Sequence, residues 1–157
     1  MKLSAVQELG ALNLLKGLPL FAACPEAPLQ AIVRFLDAKE VSSGKVFLMD
    51  QEIARTLYIL VKGSVGVWKR IGGEKKQLAT LKAPDFFGER SMLEEAPASA
   101  LVKSEGACQV YVLERSQFDL VAAQFPGILE PIRKNMADVR LKRIGPTPPP
   151  PPAADPS

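Results

Sequence analysis

Pro84-Asp85-Phe86-Phe87-Gly88-Glu89-Arg90-Ser91-Met92-Leu93, followed after three intervening residues by Pro97-Ala98-Ser99-Ala100, is the stretch that decides how this chain is read. Ala83, Pro84 and Asp85 form a turn signal. Gly88 then places a residue free to adopt positive φ directly before an acid. Taken from the residues alone, Gly88-Glu89 is a tight turn carrying a solvated carboxylate. Phe86 and Phe87, like Trp68, read as strand aromatics in core or half-exposed packing rather than as base-stacking platforms.

Outward from this stretch, residues 41–113 consist of short apolar runs punctuated by Ser43-Gly44, Lys62-Gly63-Ser64, Gly72-Gly73 and Glu105-Gly106. Such spacing predicts an all-β unit with strands at 45–49, 56–61, 65–70, 77–81, 100–104 and 107–113, and Gly72-Gly73 as a hairpin tip. Upstream, Val6, Leu9, Leu12, Leu14 and Leu15 recur at roughly helical spacing and predict an amphipathic helix over 4–16. A second helix is predicted over 25–37, with Leu29, Ile32, Val33 and Leu36 in one stripe and Pro25 in its first turn. Downstream, Ser116 is expected to cap a helix running to 124. Residues 126–144 then read as a longer helix with Leu129, Ile132, Met136 and Val139 on one face, and Pro131 must sit in its first turns or kink it. The five consecutive prolines from Pro148 cannot build a core and predict an extended polyproline II tail. The expected fold is α+β, an antiparallel, jelly-roll-like β-roll flanked by N-terminal and C-terminal helices. It divides into a helix at 1–17, a domain at 18–145 and a tail at 146–157.

Composition closes several function classes. The chain has no histidine, which removes His-based acid-base chemistry, His nucleophile pairs and His metal sites. Cys24 and Cys108 form no CxxC and read as small core residues of a reducing compartment, with no metal site. A net charge of +3 is too mild to imply nucleic acid as a partner. No apolar run of the N-terminal segment reaches a membrane span or a secretory core, so a cytoplasmic protein without a membrane partner is expected. No P-loop or kinase catalytic-loop pattern is present, and the expectation is that the chain is not an enzyme.

The stretch from Pro84 to Ala100 resembles the phosphate-binding cassette of cyclic nucleotide-binding domains. In that family a strand ends in Phe-Gly-Glu, a short helix comes next, and an Arg stands nine residues after the Glu within a Pro-Arg-Ala-Ala type sequence. Here Phe87-Gly88-Glu89 fits, and Pro97 and Ala100 fall in register. The similarity continues in Leu18-Pro19-Leu20-Phe21, in Gly44 with Leu57-Tyr58-Ile59-Leu60-Val61-Lys62-Gly63, and in Leu113-Glu114-Arg115-Ser116-Gln117-Phe118, so that it covers roughly residues 12–139. It implies that Gly88 lets backbone N–H groups approach a phosphate and that Glu89 accepts hydrogen bonds from a ribose hydroxyl.

The decisive departure is Ala98, which occupies the slot of the family's phosphate-pairing Arg. Gln51-Glu52-Ile53-Ala54-Arg55 also replaces the family's Gly-x-x-Gly-Asp, so that two positions permissive for positive φ are lost and the loop is expected to take another shape. Arg90, Lys103 and Arg55 are the candidates to substitute for the missing cation, with Arg90 also readable as an intrahelical partner. Ser99 stands where cGMP-selective members carry a Ser or Thr that bonds guanine, or it is an incidental small residue at a strand start. The cluster Arg133, Lys134, Arg140, Lys142 and Arg143 makes the last helix basic, either a solvated face or a surface for an acidic partner. The ligand residues are therefore Gly88, Glu89, Ser99 and the empty slot at Ala98, with no catalytic residue and no cofactor. Two functions are open: a degenerate regulatory or assembly module acting through a protein partner, or a working sensor of cAMP or cGMP, cGMP the better fit, that signals through its C-terminal helices.

Overall fold

The computed structural model describes residues 1–144, with side chains through Val139. Helix α1 (Ala5–Gly17) starts from a capping box, in which the Gln7 N–H donates to Ser4 Oγ at 3.2 Å and the Ser4 N–H donates to Gln7 Oε1 at 2.8 Å. It buries Ala11 and Leu15 but leaves Val6 and Leu9 exposed. At 100° per residue those two project from the side opposite Leu15, so the expected stripe of five residues is spread around the helix. A 3-10 turn at Pro19–Phe21 buries Leu20 and Phe21. Helix α2 (Glu26–Phe35) buries Leu29, Ile32 and Val33 and ends before Asp37, short of the predicted boundary.

Strand β1 (Asp37–Val41) comes next, beginning at the residue where the apolar spacing predicts the end of the helix. Three of its five residues are charged, and its strand state comes from antiparallel pairing with a partner some 70 residues on, Asp37 opposite Val112 and Val41 opposite Cys108. The other strands are β2 (Val46–Leu48), β3 (Thr56–Lys62), β4 (Ser64–Ile71), β5 (Glu74–Lys82), β6 (Asp85–Phe87), β7 (Leu101–Ser104) and β8 (Cys108–Glu114). They form two antiparallel four-stranded sheets, ordered β1-β8-β3-β6 and β2-β7-β4-β5. Gly72 and Gly73, both at positive φ, make the tip of the β4–β5 hairpin as expected.

Alternation along the strands divides the core in two. Leu57, Ile59, Phe86 and Leu113 point to the helices and join Leu15, Phe21, Ile32 and Phe118. Leu60, Phe87, Val110 and Val112 point the other way and meet Phe47, Leu48, Val65 and Val102 between the sheets. Phe87 there joins an aromatic cluster, 5.1 Å from Tyr58 and 5.4 Å from Phe47 between ring centroids. Burial, and secondarily Glu52 and Glu114, raises the Tyr58 hydroxyl above its ordinary pKa, so the ring stays neutral.

Between β6 and β7 lies a short helix, α3 (Glu89–Glu94), whose surroundings belong to the pocket. Helix α4 (Arg115–Gln124) begins two residues earlier than a cap at Ser116 predicts. Glu114, not Ser116, is its cap, paired reciprocally with Gln117. After a 3-10 turn at Pro126–Ile128, helix α5 (Leu129–Ile144) carries Pro131 in its first turn and buries Ile132, Met136 and Val139 on one face. Asn135 Nδ2 donates to the carbonyls of Leu20 (3.0 Å) and Ala22 (2.7 Å), which fastens α5 onto the Pro19–Phe21 turn. The result is an α+β antiparallel β-roll with helices gathered on one side. Of the basic cluster on α5, Arg133 and Lys134 are exposed, while the Arg140, Lys142 and Arg143 side chains and the proline-rich tail lie outside the described residues. No helix among the described residues is long and apolar enough to cross a membrane.

Candidate ligand pocket

The two aromatic residues of β6 face opposite sides, and the chain must then turn sharply toward the cavity. Gly88 makes this turn at φ 85°, and a Cβ there would stand 2.5 Å from the carbonyl oxygen of Thr56. Both the backbone conformation and the close approach to β3 require glycine. Helix α3 begins at the next residue and ends at Glu95, again in the left-handed region at φ 53°.

Three contacts hold α3 in place. Ser91, nearly fully buried, accepts hydrogen bonds from the N–H groups of Ala54 (2.7 Å) and Arg55 (3.1 Å). At the far end, Arg115 Nη1 donates to the carbonyls of Met92 (2.8 Å) and Leu93 (3.1 Å), groups that a helix end otherwise leaves unsatisfied. Arg115 Nε meanwhile bonds Asp119 at 2.7 Å. Glu95 lies between Arg55 (3.8 Å) and Arg115 (4.0 Å). In the sequence Arg115 stands only as part of the entry to the helix after the roll, and its role as the clasp of α3 emerges from the fold.

Gly88, Glu89, Arg90 and Ser91 line one wall of a cavity of about 590 Å³, within the range of small-molecule sites. Pro97, Ala98, Ser99 and Ala100 form the facing segment, Leu78, Ala79 and Leu81 of β5 a third side, and Leu48, Phe87 and Val102 part of its apolar lining. The four residues singled out in the sequence, Gly88, Glu89, Ala98 and Ser99, are thus brought to one cavity; no sequence motif points to the β5 wall. The Ala98 N–H donates to Glu52 O (2.7 Å) and its carbonyl accepts from the Gln51 N–H (2.8 Å), while its methyl packs half-buried against the inter-sheet core. Ser99 is exposed, and its carbonyl accepts from Lys69 Nζ at 2.7 Å.

The 51–55 loop keeps left-handed turns despite lacking glycine. Gln51 adopts φ 72° and Arg55 φ 55°, so two non-glycine residues take up the strained left-handed region. Of the three candidate cations, Arg55 pairs with Glu95, and Lys103 lies 5.2 Å over the Trp68 ring. Lys103 is next in the strand to Val102, which lines the cavity, and so points to the other face of the sheet. Arg90 is in the lining, with Nε 3.9 Å from Glu94 and buried without a hydrogen-bond partner among the described residues. Cys24 and Cys108 are unpaired, and burial raises the Cys24 thiol above its usual value. Among the described residues no cluster of acids and cysteines is arranged to hold a metal ion.

A two-sheet roll with a glycine-led helix bordering an open cavity matches the layout of cyclic nucleotide-binding folds. The chain belongs to the cyclic nucleotide-binding domain family, whose model matches residues 38–125. It is 29% identical over 121 residues to a cAMP-dependent protein kinase regulatory subunit from Mycosarcoma maydis, covering 74% of this chain and 23% of that protein. The regulatory domain of Toxoplasma gondii PKA, solved with cAMP, is similar at 25% identity and a TM-score of 0.75 over 89% of this chain and 52% of that one. The regulatory subunit of a cAMP-independent protein kinase A from Trypanosoma brucei, in a triply substituted form bound to cAMP in its A site, superposes with a TM-score of 0.71 at 20% identity, over 85% and 47% of the two chains. The chain therefore spans about half or less of each of these three proteins.

Proposed function

We propose that this chain is a non-enzymatic regulatory or assembly module that acts mainly through protein contacts and whose pocket does not hold a cyclic nucleotide at micromolar concentration. The observation that carries the reading is Ala98. Its methyl borders the cavity where the family places a guanidinium, and both its backbone groups are taken by Gln51 and Glu52. Removing one partner of a buried, hydrogen-bonded charge pair costs about 2–5 kcal/mol. At about 1.4 kcal/mol per tenfold, affinity falls by roughly 30-fold to several thousand-fold. The Trypanosoma protein supports the reading: it is described as cAMP-independent, and the form with cAMP bound carries three substitutions, one of which introduces an arginine.

A second reading has its own observation. The cavity persists at about 590 Å³ instead of being filled by larger side chains, and Arg115 links its α3 wall to the first helix after the roll. That is the layout of a sensor for cGMP or cAMP, with Gly88, Glu89 and Ser99 in contact with the ligand. Calorimetric titration with each nucleotide separates the two. No heat of binding at about 100 μM ligand is the expected outcome, and a Kd below the micromolar range would sink the first reading.

A further inference from the structure

We infer that the outer edge of β5 is a docking strand for an acidic, extended segment of a partner protein. The inference rests on the reading of the chain as a protein-contact module and names the surface and the chemistry of its partner.

Charge is the first argument. Residues 62–82 contain Lys62, Lys69, Arg70, Lys75, Lys76 and Lys82 against the single acid Glu74, a net charge of +5 in a chain whose total is +3. The remainder of the chain is therefore net negative in sum, and the segment around the β4–β5 hairpin is, beside the last helix, one of two basic concentrations in the sequence. Lys69 is within 3.6 Å of Asp50, and Arg70 donates to Gly73 O. Lys75, Lys76 and Lys82 are exposed and form no ion pair among the described residues.

Geometry is the second. In the order β2-β7-β4-β5, β5 is an edge, bonded to β4 on one side only among the described residues. It is nine residues long, roughly 30 Å of strand. Every residue from 74 to 80 is exposed, including Leu78. A strand edge of this length presents a row of N–H and C=O groups that an extended peptide can continue. A second copy of this chain is a poorer occupant, because it brings a strand of the same net positive charge, Lys75, Lys76 and Lys82 against Glu74 alone, to an edge that carries that charge already. An acidic strand meets the same edge with attraction. Leu78, Ala79 and Leu81 also wall the cavity, so the added strand would border its mouth and lie beside any ligand held there.

The test uses the full chain and three labelled peptides of equal charge: one alternating Glu and Val, the same peptide with alternate amides N-methylated, and one of Glu, Gly and Ser. At low salt the first is expected to bind with a sub-millimolar Kd, to slow amide exchange at residues 74–82, and to bind at least tenfold more tightly than either other peptide. The double variant Lys75→Glu, Lys76→Glu, with an unchanged melting temperature, should weaken that binding at least tenfold. Equal binding of the three peptides, protection outside β5, an unaffected double variant, or stronger binding of phosphatidylserine vesicles or a single-stranded oligonucleotide than of the Glu/Val peptide would each overturn the inference. The nucleotide titrations are independent of these readouts, so failure here is distinguishable from failure of the proposed function.

Discussion

Replacing Ala98 with arginine should confer measurable affinity for cAMP or cGMP. The backbone at this position is fixed on both sides by its bonds to Gln51 and Glu52, so the new side chain starts from a defined point on the cavity wall. Gly88 and Glu89 stand in the same lining to receive the rest of the ligand. A guanidinium offers a bidentate donor set to phosphate, and about 2–5 kcal/mol is the scale of such a buried pair. A millimolar starting Kd would fall to the tens of micromolar or lower. Arg90 already contributes a cation to the lining, and an anionic ligand would relieve repulsion between two guanidinium groups, which favours the upper end of this range.

Calorimetry gives the affinity, and thermal unfolding checks it. Ligand at about 100 times Kd adds about 2.7 kcal/mol, which for a domain of this size raises Tm by roughly 5–10 °C. If the variant folds with a near-normal Tm and still binds neither nucleotide at millimolar concentration, the claim that Ala98 limits binding is wrong. The strained loop at Gln51 and Arg55 then becomes the leading obstacle.

Gly88→Ala should destabilise the domain by at least about 2 kcal/mol in urea unfolding, because alanine must adopt φ 85° with its methyl driven toward Thr56 O; a loss below about 0.5 kcal/mol would mean that β6 and α3 can shift freely. Arg115→Gln should cost about 1–3 kcal/mol by removing charge-assisted bonds to Met92 and Leu93, and hydrogen exchange should quicken in α3; unchanged exchange there would show that the clasp is redundant. Iodoacetamide at about pH 8 should modify Cys24 more slowly in the native chain than in urea, because the raised thiol pKa lowers the thiolate fraction, and an equal or faster native rate would contradict its burial.

The parts of the fold that are legible in the sequence are those whose signal is local. The β4–β5 hairpin is visible because Gly72-Gly73 is a turn that few other residues can make. The β1 strand is invisible because nothing in Asp-Ala-Lys-Glu-Val favours a strand until β8 arrives to pair with it. Helix α1 misleads in the other direction: its leucines and valine satisfy an approximate periodicity, yet only Leu15 of them is fully buried, Leu12 and Leu14 pack at the core's margin, and Val6 and Leu9 are exposed. Apolar identity is a good guide to burial on the central strands β3 and β8, but it fails for Leu78 on the edge strand β5, as it does for Val6 and Leu9 on this helix.

The same distinction governs the site. Gly88, Glu89, Ala98 and Ser99 lie within twelve residues of each other, so one motif could nominate all of them. The elements that set the cavity's behaviour come from elsewhere: Leu78 and Ala79 from an edge strand that reads as surface, Ser91 through a hydroxyl directed at the 51–55 loop, and Arg115 through carbonyls more than twenty residues upstream. Arg115 shows why such residues escape a sequence reading. An arginine after a strand is ordinarily a solvated helix-start residue, and only the placement of two uncapped carbonyls within 3.1 Å turns it into a link between the pocket helix and α4. A motif can thus say which ligand chemistry a cavity has kept or lost, as Ala98 does. What the cavity is mechanically attached to depends on contacts that form only when the chain has folded.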